Sequence, residues 1–134
     1  MKYIFTIFFA LSINAANLDN KFVHALHMVE SGGRVGKIVG DNGRALGPLQ
    51  IHKSYWQDAV TFDDTIGGSY SDCTKLDYSI KIVNAYLNRY AEKAILSKDY
   101  QTLARIHNGG RLGFKKEATI QYWAKVNKFL KQYE

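Results

Sequence analysis

Two carboxylates in this chain of 134 residues sit where their surroundings would give them different charges. Glu30 falls near the end of a run in which Phe22, Leu26 and Val29 recur at helical spacing, and Gly32-Gly33 follows at once. On a helix stopped by those glycines, Glu30 lies between Val23 and Leu26 at the edge of the apolar face, in the last turn. Partial burial and the negative end of the helix dipole both disfavour a charged side chain there, so both favour the neutral acid. A carboxyl group kept protonated near neutral pH can serve as a general acid. Eleven residues on, Asp41 opens the polar segment Asp41-Asn42-Gly43-Arg44, which should keep it ionised. Two readings of Asp41 stand side by side. It is the charged partner of a protonated acid, the division of labour used in glycosidic bond cleavage, or it opens an Asn-Gly turn by bonding the local backbone.

Helices must position these groups. Leu18 to Ser31 reads as the first, with Asp19 or Asn20 to cap it. Arg34 to Ile51 is glycine-rich and holds Asn42-Gly43, a hairpin signal, so a small irregular β element is expected early in the chain. Lys53 to Val60 forms a short helix and Asp63 to Ser71 a polar loop. Leu76, Ile80, Val83, Leu87, Tyr90 and Ala94 trace one face of a long central helix over 75–95. Tyr100 to Ile106 forms another, ended by Asn108-Gly109-Gly110, and Ile120, Trp123, Asn127 and Leu130 mark a terminal helix. The fold class is α+β, predominantly α.

The first residues read differently. Met1-Lys2 precedes an apolar run from Tyr3 to Ile13, and Ala15 and Ala16 follow. That is the layout of a secretory signal peptide over residues 1–16, cut after Ala15 or Ala16, with one domain over 17–134 that is secreted or periplasmic. Eighteen Lys and Arg against 12 Asp and Glu give +6, which suits a polyanionic wall or membrane surface. The basic residues are spread along the chain, and with export this argues against nucleic acid. Cys73 is the single cysteine, expected to be a partly buried small residue, so packing alone must hold the domain together.

Glu30-Ser31-Gly32, the stretch from Gly40 through Asp41, Gly47-Pro48-Leu49-Gln50-Ile51 and Tyr55-Trp56-Gln57-Asp58 resemble the active-site region of lysozymes. The Glu-Ser pair with Gly-x-x-Gln is shared by goose-type lysozymes and soluble lytic transglycosylases. Gly47 to Asp58, Ala104 to Gly110 and Tyr122-Trp123 followed by Val126 are similar to the invertebrate-type (destabilase) lysozymes. The resemblance implies a lysozyme-like fold and a peptidoglycan glycosidase, with Glu30 as acid and Asp41 as second carboxylate. It also implies a saccharide cleft lined by Gln50, Ile51, His52, Tyr55, His107, Asn108 and Gly109. Peptidoglycan glycan strands are the partner implied, for a monomer with no metal or organic cofactor. The chain departs from the invertebrate type in lacking its many cysteines and in carrying Arg111 where proline follows Gly110.

Other constellations are weaker. His24, His27 and Glu30 at i, i+3 and i+6 place the histidines away from the carboxylate, against a metal site. Ser31 beside a histidine lacks the nucleophile elbow of a hydrolytic triad. Tyr55, Trp56 and Tyr122 could offer ring faces to a sugar, Trp123 belongs to the core, and Asp58 caps or braces. A lytic transglycosylase, which needs only the acid, and a non-catalytic wall-binding module are the rival functions.

Overall fold

Gly32 stops the first helix as the sequence requires. It takes φ +65°, and its N–H and that of Gly33 return to the carbonyls of Met28 and His27. The computed structural model describes residues 15–133, so the expected leader lies outside the described residues except for Ala15 and Ala16. The helix, α1, spans Asn20–Ser31 and starts two residues later than the periodicity suggests. Asp19 stands at its N-cap position but makes no side-chain cap; its carboxylate accepts from the Tyr100 hydroxyl instead and lies 3.7 Å from Lys98 Nζ.

Three two-residue strands follow: β1 (Val39–Gly40), β2 (Ala45–Leu46) and β3 (Ile51–His52). They form an antiparallel sheet in sequence order, with Gly40 opposite Ala45 and Leu46 opposite Ile51. The hairpin between β1 and β2 is where Asn-Gly predicts it, and Asp41, Asn42 and Gly43 all have positive φ. Helix α2 (Lys53–Phe62) leaves β3 directly. Helix α3 (Leu76–Leu96) is central and packs on α2 and on α4 (Tyr100–Gly109), while α5 (Ile120–Gln132) closes over α1 and α4. Helix α4 runs past its expected end at Ile106 and carries His107 and Asn108 in its last turn.

The core joins Phe22 and Leu26 of α1, Leu49 and Ile51 of the sheet region, Ile82, Val83 and Leu87 of α3, Leu103 and Ile106 of α4 and Val126 of α5. Burying each such side chain contributes roughly 1.5–3 kcal/mol, and this packing does the work that disulfides do in many small exported domains. Cys73 is fully buried rather than partly, and burial with the nearby Asp72 charge pushes its thiol up to about 12. It is a packed, unreactive thiol.

Gly47 pins the sheet to the segment ahead of α3. A Cβ there would stand 1.7 Å from the Cys73 carbonyl oxygen, at φ +82°. Gly43 has a similar φ of +86°, but a Cβ would meet nothing within 4 Å. Gly43→Ala is therefore expected to cost about 1–2 kcal/mol from backbone strain alone, and Gly47→Ala distinctly more because two backbones must separate. Urea unfolding of the two variants checks this; equal losses would mean that the close approach carries no energetic weight.

Candidate active site

Helix α1 delivers Glu30 to the point where α4 and α5 meet it. Glu30 Oε1 accepts from the Tyr122 hydroxyl at 2.6 Å and lies 3.1 Å from His107 Nε2. Only 16% of the Glu30 side chain and 3% of that of His107 are exposed, so this contact is sheltered but reaches solvent at the carboxylate. The other ring nitrogen of His107, Nδ1, lies 2.9 Å from the Tyr55 hydroxyl of α2. Tyr55 is stacked on Tyr86 of α3, with ring centroids 3.6 Å apart. Four helices thus contribute to one chain of contacts, Tyr55 to His107 to Glu30 to Tyr122.

Proton placement along that chain follows from the tyrosines. Burial, the Tyr86 hydroxyl and the Glu30 charge hold the Tyr55 hydroxyl well above the usual phenol range. Burial first, then the Glu30 charge and hydrogen bond, do the same to Tyr122. Both hydroxyls therefore keep their protons. A Tyr55 hydroxyl that donates to Nδ1 leaves Nε2 as the ring nitrogen that can donate to Glu30. Oε1 then receives two donors, leaving Oε2 as the oxygen on which a protonated Glu30 would hold its proton.

Asp41 is held differently. Its Oδ1 accepts from Arg44 Nη2 at 2.9 Å, and its Oδ2 lies 3.1 Å from His52 Nε2. The side chain is 44% exposed and sits at φ +49°, a left-handed conformation that aspartate tolerates better than most residues. The turn reading of Asp41 is met by its backbone carbonyl and not by its side chain. It opens the turn, where Arg44 N–H returns to its carbonyl, and its carboxylate pairs with the Arg44 guanidinium beside the His52 ring.

A cleft of about 510 Å³ brings these groups together, lined by Glu30, Asp41, Gln50, His52, Tyr55, His107 and Asn108 among others. Two residues expected there lie elsewhere. Ile51 is 1% exposed and belongs to the core, because alternation along β3 sends its neighbour His52 outward. Gly109 faces Thr119, and Gly110 borders the cleft in its place. Gln50 reaches the cleft wall, yet its Nε2 is engaged by the carbonyls of Ile38 and Gly47, so it braces the sheet loops. Tyr122 presents its hydroxyl to Glu30 rather than a ring face to solvent. Trp56 donates to the Tyr78 hydroxyl and packs on the core, as does Trp123.

Ala45, Ser54, Asp58, Tyr86 and Gly110 complete the lining and were not singled out from the sequence as cleft residues. The sequence marks Asp58 as a cap or brace and Gly110 as part of a helix stop; the Asp58 carboxylate accepts from Tyr90 and lies 3.8 Å from Arg89. His27 bonds the Arg34 carbonyl and His24 lies against Tyr133, so neither shares a site with Glu30. The Ser31 hydroxyl is spent on the carbonyls of His27 and Arg34.

Residues 20–129 match the family model for destabilase. The chain is similar to a lysozyme of Ostrea edulis, 37% identical over 63% of this chain, and to lysozyme 1 of Crassostrea virginica, 32% identical over 86% of it. It spans 61% of the length of each of these two relatives. The solved structure of Aeromonas hydrophila PliI in complex with Meretrix lusoria lysozyme is similar with a TM-score of 0.67 and 31% identity, over 83% of this chain and 89% of that one.

The tyrosine protons give the site an alkaline signature. Unfolded tyrosines titrate near 10, whereas Tyr55 and Tyr122 titrate higher in the fold. Above pH 10 the unfolded chain binds fewer protons than the folded one, so stability falls as pH rises. Each such group contributes about 1.4 kcal/mol per pH unit at most. Tyr122→Phe and Tyr55→Phe should each flatten this fall in urea unfolding followed across that range. An alkaline limb left unchanged by both would show that the fold does not hold these hydroxyls neutral.

Proposed function

The chain belongs to the destabilase family, and on that premise we propose that it is a lysozyme-type glycoside hydrolase acting on peptidoglycan. The bond cut is the β-1,4 linkage between N-acetylmuramic acid and N-acetylglucosamine. One observation carries the reading: the sheltered Glu30 and the ion-paired Asp41 line the same cleft. The names and structures of the relatives support it.

Glu30 protonates the leaving glycosidic oxygen from Oε2. Oε1 stays fixed by Tyr122 and His107, which keeps the carboxyl group from rotating and costs no reorganisation when the proton leaves. The anion that results is met by donors already in place. Asp41, held by Arg44 and His52, acts on the positive charge that builds at the anomeric carbon, by electrostatic stabilisation, by attack or by positioning water. Asn108 can offer a donor and an acceptor to the sugar.

The reading includes export under a leader that ends at the Ala15-Ala16 pair, and action as a monomer outside the cytoplasm. The complex of PliI with the Meretrix lusoria lysozyme supports a protein inhibitor as a further class of partner.

Glu30→Gln is expected to lower kcat on purified peptidoglycan by roughly 10²–10⁴-fold, with circular dichroism unchanged. A variant that clears wall suspensions at the parental rate removes Glu30 from the mechanism. Mass spectrometry of the parental digest should find new reducing ends that carry the elements of water. Anhydro ends would identify a lytic transglycosylase instead.

A further inference from the structure

Helix α3 carries two asparagines four residues apart, Asn84 and Asn88, and both reach past their own helix to the chain ahead of α1. Asn88 Oδ1 accepts the Ala16 N–H at 3.1 Å, and Asn88 Nδ2 donates to the Ala16 carbonyl at 2.7 Å. The same Nδ2 also meets the Asn84 carbonyl at 2.8 Å, which fixes the amide's orientation. Asn84 Oδ1 accepts the Leu18 N–H at 3.1 Å. An amide that meets both backbone groups of one residue does what a neighbouring strand would do, and the segment from Ala16 to Leu18 is laid on α3 in that way.

Three features make this seat unusual for a chain terminus. Asn88 is buried, at 6% exposure, so its amide depends on protein partners. Leu18 packs against the core and Asp19 accepts from the Tyr100 hydroxyl, so the segment is tied at both ends. Among the described residues, Ala16 is the earliest to make a hydrogen bond; Ala15 is exposed and borders a cavity of about 290 Å³ that Asp63, Lys81 and Asn84 also line.

We propose that Asn84 and Asn88 form a receptor for the mature amino terminus, and that export processing hydrolyses the peptide bond between Ala15 and Ala16. The proposal rests on the exported reading given above. The agent is a leader peptidase: water adds across the bond, its oxygen completes the Ala15 carboxylate, and Ala16 leaves as a free ammonium group. Both alanines are small enough for such a cut. The receptor distinguishes them. A cut after Ala16 removes both groups that Ala16 gives to Asn88, and leaves a buried amide oxygen without its donor. A cut after Ala15 keeps both bonds and turns the donor to Oδ1 into a charged one, which strengthens it.

Two measurements test this. The full chain is exported from a bacterial host, and the purified product is analysed by intact mass and amino-terminal sequencing. The expected first residue is Ala16; a start at Ala15, at Asn17 or later, or an uncut chain overturns the processing site. Chains beginning at Ala16 and at Asn17 are then melted, each with and without Asn88→Ala. The Ala16 chain should melt higher by about 3–6 °C, and Asn88→Ala should remove most of that difference while changing the Asn17 chain little. Equal shifts in both chains would make Asn88 a structural residue of α3 and overturn the receptor. Neither readout uses glycosidase activity, so this proposal and the assignment of Glu30 stand or fall separately.

Discussion

The site depends on one oxygen atom. Glu30 Oε1 takes donors from α4 and α5 at the carboxyl end of α1, where the helix dipole alone would disfavour an anion. Without those donors, a partly sheltered carboxylate at a helix C-terminus would be costly when charged and free to rotate when neutral. With them, the charged form has fixed partners and the neutral form has one place for its proton. The same two bonds draw three helices together, so geometry and chemistry are set by a single contact. His107 can play its part because its own ring is held: Tyr55 fixes Nδ1, and the stack on Tyr86 fixes Tyr55.

Asp41 shows the opposite strategy. It is more exposed, sits on a tight turn of a small three-stranded sheet, and has the Arg44 and His52 side chains beside it. A helix could not have supplied it, because three successive residues with positive φ are needed to turn the hairpin there. The two carboxylates therefore differ in the elements that carry them as well as in surroundings. One is a sheltered group on a rigid helix end, and the other is a solvated group on a loop anchored by Gly47 against the Cys73 carbonyl. Such a separation of environments lets two carboxyl groups play different parts within one cleft.

Much of this was legible in the sequence, and the limits have physical causes. Helical periodicity located the helices within a few residues, and Gly32-Gly33 and Asn42-Gly43 marked a stop and a turn, because these signals act over short range. The end of α4 was read too early since Gly109 remains helical while Gly110 takes the positive φ. Glu30 and Asp41 could be paired because one face and one turn framed them. Ile51 was assigned to the cleft through its neighbours in a motif, whereas strand alternation buries it. Tyr122, 92 residues from Glu30, had no local feature to show that its hydroxyl would meet the acid. Long-range hydrogen bonds leave no periodicity.

The same limit applies to most of the tyrosines, and it bears on how a chain with one cysteine stays rigid. Tyr70 donates to the Ile51 carbonyl, Tyr78 to Gly67, Tyr90 to Asp58 and Tyr100 to Asp19. These bonds tie a helix or turn to another segment of the chain across 11 to 81 residues. A phenol suits this work because its ring buries apolar area while its hydroxyl closes a polar end. It is dependable only while the proton stays on. Burial holds the hydroxyls of Tyr86 and Tyr100 up to about 12, and Tyr70 and Tyr90 are raised for the same first cause. Tyr70, Tyr90 and Tyr100 therefore remain donors further into the alkaline range than a free phenol does. The core that surrounds them is thus what makes them reliable, and they in turn fix the loops that the core alone leaves loose.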